Sequence, residues 1–232
     1  MQSFDSLFQV RAGRILALSR ISQIAIEGLS QLSKDSGSKF QPLFSFMAEH
    51  IPAHHQNHPT IDIPEYKVIG FLDGLTLIAT ISEVEAYFQD VVVDVLRLHP
   101  KKMGKSTFEL QELLEMGTLQ EAIELAIQRH ASGLMFKKPN DYKKDLLSII
   151  SADGNLLEDA WPGFVEAKAR RDLGVHNGWL VNDIYRAKLR DVNLPPPSVE
   201  ALTVDHSYLY GVRENCIKIM KRLKNHCEST FA

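Results

Sequence analysis

Cysteine is scarce in this chain, with Cys216 and Cys227 the two among 232 residues. They stand eleven residues apart on one expected helix, roughly 16 Å along its axis. A disulfide needs Cα atoms within about 7 Å, so the two cannot pair within that helix. They share a face, which points to buried apolar thiols and a reducing, cytoplasmic setting. No run of about 18 apolar residues occurs, so neither a transmembrane helix nor a membrane partner is expected. The opening MQSFDSLFQVR lacks a basic-then-apolar leader, and no secretory signal is expected. Excess charge of either sign is missing as well. The formal charge is −3 and the pI about 6.3, which argues against a surface coated for non-specific nucleic-acid binding but leaves room for a local basic cleft. Phosphate-gripping glycine loops, nucleophile-elbow serines, paired CxxC motifs and HExxH are all absent, so triphosphate hydrolysis and serine-hydrolase chemistry have no support.

What the chain does have is helical periodicity and a 44% hydrophobic content, enough for a real core. Ile15, Leu18, Ile21, Ala25, Leu29 and Leu32 recur at helical spacing before a polar break at 34–37. Residues 36–66 are polar and rich in His and Pro, and read as a loop. Leu77, Ile81, Val84, Phe88, Val91 and Val95 form the clearest stripe, ending at His99-Pro100. Capping boxes at Ser106/Glu109 and Thr118/Glu121 predict two shorter helices. A further helix is predicted from Asn140 or Asp141. The next starts near Trp161-Pro162 and breaks at Asn177-Gly178. Leu180 to Arg190 resumes as a helix, and Pro195-Pro196-Pro197 is a stiff connector. A last helix, from about Asp205, carries Leu209, Val212, Cys216, Ile219, Leu223 and Cys227 on one face. No repeat, low-complexity tract or strand ladder is visible, so an all-α bundle is expected.

The most informative segment is RRDLGVHNG, Arg170 to Gly178. Arginine is a permanent cation whose rigid fork of donors grips phosphate. Histidine exchanges protons near neutral pH. Asp172 lies one turn before His176 and could orient its imidazole. Those roles suit cleavage of a phosphodiester. On an ideal helix Asp172 and His176 are about 40° apart, whereas Arg171 and His176 are about 140° apart and share no face. Gly174 stands between them. A mid-helix glycine costs about 1 kcal/mol against alanine, so a close approach by a second helix or a substrate backbone is expected there.

The surrounding candidates are weaker. Glu85 and Asp90 flank the long apolar stripe, either as polar support for a cleft or as a solvent-facing edge. His50, His54 and His58 recur every four residues beside His55, Glu49 and Asp62, but Pro52 interrupts their helix, and no metal is expected there. Basic clusters at Lys101-Lys102, Lys137-Lys138, Lys143-Lys144 and Lys218-Lys221 read as solvated faces. Arg186, Lys188 and Arg190 follow the motif directly and are the favoured RNA contacts. Trp161 and Trp179 could stack on bases, though aromatics at helix boundaries more often pack.

Arg171, Asp172, then three residues and His176 match the mark of the HEPN superfamily, which this segment resembles. The helix ISEVEAYFQDVV (residues 81–92), the HNGWLVNDIY run and LTVDHSYLYGV resemble the same family, over roughly residues 70–230. The resemblance implies an HEPN-like helical bundle over 70–232, with an additional N-terminal helix and loop over 1–69. It implies a metal-independent, cofactor-free endoribonuclease that dimerises so that two motifs face one cleft, acting as a toxin or phage-defence effector. Arg171 would hold the scissile phosphate. His176 would shuttle the proton, with the 2′-hydroxyl as nucleophile and a 2′,3′-cyclic phosphate as product. Asp172, Arg170, Asn177 and Glu85 would support them. Gly178 replaces the tyrosine that some such toxins carry two residues after the histidine, where a partner antitoxin modifies it, and Tyr185 is the nearest tyrosine. The alternatives are a non-catalytic HEPN-like module for dimerisation or partner binding, and a binder of RNA or nucleotides that does not cut.

Overall fold

A computed structural model describes residues 3–36 and 65–231. Eight α-helices follow one another among them: α1 (Phe4–Ser36), α2 (Glu65–Leu98), α3 (Leu110–Glu115), α4 (Leu119–Leu134), α5 (Pro139–Ile149), α6 (Trp161–Asn177), α7 (Asp183–Asp191) and α8 (His206–Phe231). Short 3-10 turns cover Pro100–Met103 and Gly154–Leu157. β-Pairing among the described residues is limited to one antiparallel bridge, Leu180 to Ala201. None of the described helices is long and apolar enough to cross a membrane. His50, His54, His58 and their acidic neighbours lie outside the described residues.

Helix α2 is the axis of the bundle, with α1, α4, α5, α6 and α8 packed on it. All six residues of its predicted stripe are buried. Contacts fix the directions. Arg11 reaches Asp90 while Arg14 reaches Glu83, so α1 runs antiparallel to α2. Glu85 meets Lys168 and Gly74 meets Trp179, so α6 does too. Tyr87 donates to the carbonyl of Met220 at 3.1 Å. Lys224 reaches Asp5, and Arg213 reaches Ser19, so α8 opposes α1. The six predicted apolar positions of α8 are all buried, both thiols included.

Several boundaries differ from the sequence reading. Helix α1 begins at Phe4, and its buried face runs through Phe4, Leu7, Ala12 and Ile15. Ile21 is 65% exposed, because each three-residue step from Ile15 to Leu18 to Ile21 turns the face by about 60°. Helix α3 starts at Leu110, capped reciprocally by Glu109 and Glu112, and not at Ser106. Thr118 caps α4 as expected, accepting from the Glu121 amide at 3.2 Å. Leu180 and Val181 are extended, and α7 starts only after Asn182, whose side chain accepts from the Tyr185 amide at 2.9 Å. The expected division at residue 69/70 falls inside α2. Phe4, Leu7, Ala12 and Ile15 join the same apolar cluster as Leu77 and Phe88.

Candidate functional site

Helix α6 places the Arg-His segment. Pro162 sits in its first turn, and Gly178, left-handed at φ 55°, ends it. Trp179 is left-handed too, at φ 66°, a conformation uncommon and costly for a bulky residue. Its amide donates to the carbonyl of Leu173 at 3.2 Å, folding the chain back over the helix it has just left. The indole then lies between Gly74 of α2 and Gly174 of α6. A Cβ on Gly74 would stand 2.7 Å from Cζ2, and one on Gly174 would stand 2.8 Å from Cζ3 and nearer still to Cη2 and Cζ2. The close approach expected at Gly174 is thus made by a side chain of the following turn. Trp161 belongs to the core, where its ring packs 5.3 Å from Phe164 and 6.3 Å from Phe88.

Beyond that turn the two motif side chains part. Arg171 points toward α2, where its Nη2 donates to Glu85 at 2.6 Å. Its Nε lies 3.1 Å from Asp172 Oδ1 as an ion pair without the alignment of a hydrogen bond. Lys168 pairs with the other oxygen of Glu85. Glu85 is therefore neither a bystander nor a solvated edge, its side chain being 12% exposed beneath two cations. Asp90 has a different task, binding Arg11 at 2.8 Å and clasping α1 to α2.

His176 faces a cleft of 510 Å³ that also takes in the loop before α5, the outer face of α6 and one side of α7. Lys168, Asp172 and His176 line it from α6, Tyr185 and Lys188 from α7, and Asn182 from the cap before α7. Arg171 is not among the lining residues. Asp172 accepts from Lys188 at 2.7 Å. No hydrogen bond or ion pair joins Asp172 to His176, and the exposed imidazole makes none with any described residue. The expected orienting contact is replaced by one from α7, whose lysine gives the carboxylate a charge-assisted hydrogen bond. Residues 168, 172 and 176 are four apart, a spacing that puts them on adjacent turns of one face. Lys168 was the member that the sequence reading passed over, and the four-residue spacing could have found it.

Most of the remaining site candidates are tied to other parts of the fold. Arg170 stacks on Tyr208 with 3.9 Å from guanidinium carbon to ring centroid, bonds Glu166 at 2.8 Å and donates to the carbonyl of Thr203. Glu166 also accepts from the hydroxyls of Tyr185 at 2.7 Å and Tyr208 at 2.6 Å. Burial, and next the carboxylate, push both phenols well above their ordinary range. Tyr185 is thereby committed to the interior. Asn177 donates to the carbonyl of Leu180 at 2.6 Å, closing the turn. Arg186 donates to the carbonyl of Pro197 at 3.2 Å and pins the proline connector. Of the three favoured RNA contacts, Lys188 lines the cleft and Arg190 is exposed on α7. Among the described residues no group of His, Cys, Asp and Glu is placed to hold a metal ion.

Comparison of the chain with protein-family models, with curated proteins and with solved structures finds no match.

Proposed function

We propose that this protein is a metal-independent endoribonuclease of HEPN-like build, acting at the cleft beside His176. One observation carries the reading: an unpartnered, exposed imidazole stands at the rim of a cleft that two lysines also line. In this reading His176 takes the proton from a 2′-hydroxyl, which attacks the adjacent phosphorus and leaves a 2′,3′-cyclic phosphate. Lys168 and Lys188 bind the phosphate and offset the charge that grows on it. Arg171 acts at one remove, by sharing Glu85 with Lys168. A homodimer would supply a second histidine to protonate the leaving oxygen, and a toxin or defence role is the setting that suits such an enzyme. The test is cleavage of single-stranded RNA in excess EDTA, with His176→Ala abolishing it at an unchanged melting temperature. RNA that survives every buffer overturns the assignment.

A second reading has its own support. Arg171, which the motif would aim at phosphate, is tied to Glu85 on α2. A non-catalytic HEPN-like module that binds RNA or a partner protein fits that arrangement, and intact RNA retained on the protein would favour it.

A further inference from the structure

Helix α3 leaves its leucines bare. It is six residues long and buries none of them. Leu110 and Leu114 are 71% and 77% exposed and, being four apart, share one face. Leu113 adjoins them, and Leu119 opens α4 just past the break at 116–118, again exposed. The helix is held by its reciprocal cap and by Arg129 of α4, which donates to Glu112 at 3.1 Å and lies over the Phe108 ring. Among the described residues no other ion pair or side-chain hydrogen bond ties α3 to a second helix. A helix this short is marginal in water unless packing supports it. Clustered exposed apolar side chains within a polar rim mark surfaces that other molecules cover.

We propose that this leucine face docks a basic amphipathic helix of a partner protein. The rim selects the partner. Residues 106–128 hold five glutamates and no lysine or arginine. Arg129 takes Glu112, and Arg97 takes Glu124. Glu109, Glu115 and Glu121 are exposed, and their oxygens accept from uncharged donors: the Glu112 amide, the Gln111 side chain and the Gly117 amide. A helix with an apolar stripe between lysine or arginine flanks answers both parts of this surface at once. A second copy laid face to face would set glutamate against glutamate, and like charges opposed across an interface cost affinity. Nucleic acid and anionic lipid carry the same sign as the rim and are repelled.

Docking here needs no chemistry at the His176 cleft, so it stands or falls whether or not RNA is cut. The probe is a synthetic amphipathic peptide of about five helical turns, leucine on one face and lysine on the other. Two controls share its length. One carries glutamate in place of lysine, and the other has the same composition scrambled so that no apolar face forms. Each peptide is titrated with the full chain by fluorescence anisotropy. Sedimentation follows the full chain alone, and vesicles of anionic phospholipid are tested alongside.

The basic amphipathic peptide binds and gains helical circular dichroism, and both controls bind at least about tenfold more weakly. Leu110→Ser together with Leu114→Ser weakens binding about tenfold or more, because two side chains no longer bring apolar area out of water. Glu115→Lys weakens it about threefold, as befits an exposed rim charge, and lessens its dependence on salt. A thermal melt checks that the leucine variant folds. If it does not fold, Leu114→Ser alone and Glu115→Lys decide. The docking site is overturned if the amphipathic peptide fails to bind, if either control binds as tightly, or if the leucine variant binds unchanged. It is overturned in favour of a second copy if the full chain dimerises and the leucine variant does not. It is overturned in favour of a lipid surface if anionic vesicles bind the chain and release the leucine variant.

Discussion

The Trp179 indole occupies the space that a side chain at Gly174 would need, with Gly74 of α2 on its other side. Alanine is the better helix former by about 1 kcal/mol, yet Gly174→Ala is expected to destabilise. The ring cannot retreat from α6 without meeting α2. Overpacking of this kind typically costs about 1–3 kcal/mol. A double-mutant cycle by urea unfolding checks it: Trp179→Ala should remove most of the penalty of Gly174→Ala. A stabilised single variant would show that the wedge yields.

The positions of Lys168 and Arg171 bear on an expectation drawn from the motif, under the nuclease reading. A guanidinium that holds phosphate should not tolerate lysine. Here Arg171 faces Glu85, with which a lysine can also pair. Arg171→Lys is therefore expected to retain most RNA cleavage, within about threefold. If the proposed nuclease activity holds, Lys168→Ala should lower kcat/KM about 10–100-fold, in line with losing a cation from the reacting phosphate. Steady-state kinetics on a fluorogenic oligoribonucleotide separate the two. A severe Arg171→Lys defect with a mild Lys168→Ala effect would return the phosphate to Arg171.

Glu166 gathers two phenols and a guanidinium where α6, α7 and α8 meet. Tyr208→Phe leaves that carboxylate short of a donor, and is expected to cost about 1–3 kcal/mol. Tyr185→Phe should do the same, and the two should be non-additive because they share one acceptor. Chemical denaturation of both single variants and the double variant measures the coupling. Simple additivity would mean that the hydroxyls act independently.

Asp73 is 2% exposed, and one of its oxygens has no partner. Burial raises its pKa, opposed by His206 and reinforced by Asp205. The sign follows directly. A carboxyl whose folded pKa lies above its unfolded value binds protons more tightly when folded. Its contribution is complete below the unfolded pKa and is lost as pH rises through the folded one. Asp73→Asn should thus raise the melting temperature at neutral pH. The shift should be about 2–4 °C if the gain is ~1 kcal/mol, and should shrink in acid. Scanning calorimetry across that range tests it, and a gain that grows toward low pH would contradict it.

Cys216 and Cys227 are buried on α8, and burial pushes both thiols up to about 12. Thiolate is the reacting form, so neither should react with a disulfide reagent in the native state. Labelling should occur only at the rate of unfolding, and both should label together once denaturant is added. Rapid native labelling would require local opening of α8.

What the sequence revealed was what repeats along it. Leu77 to Val95 and Leu209 to Cys227 hold an unbroken period over several turns, and a face repeated that often has no other use than burial. Gly178 marked a helix end because few other residues reach a left-handed φ without strain. Ile21 was misplaced because steps of three and four were not summed around the helix. The site was harder to see, since it depends on which neighbour wins a charge. Nothing in RRDLGVHNG says that Glu85, more than eighty residues earlier, takes Arg171, or that Lys188 takes Asp172. Those outcomes are settled by how α2 and α7 lie against α6, which the local pattern does not encode.

The left-handed pair Gly178–Trp179 therefore sets more than a helix end. One ring is pressed between α2 and α6, and the same reversal carries the chain toward α7, whose lysine forms the far wall beside His176. That ring lines no part of the opening; it spaces α6 from α2, behind the helix that carries the histidine.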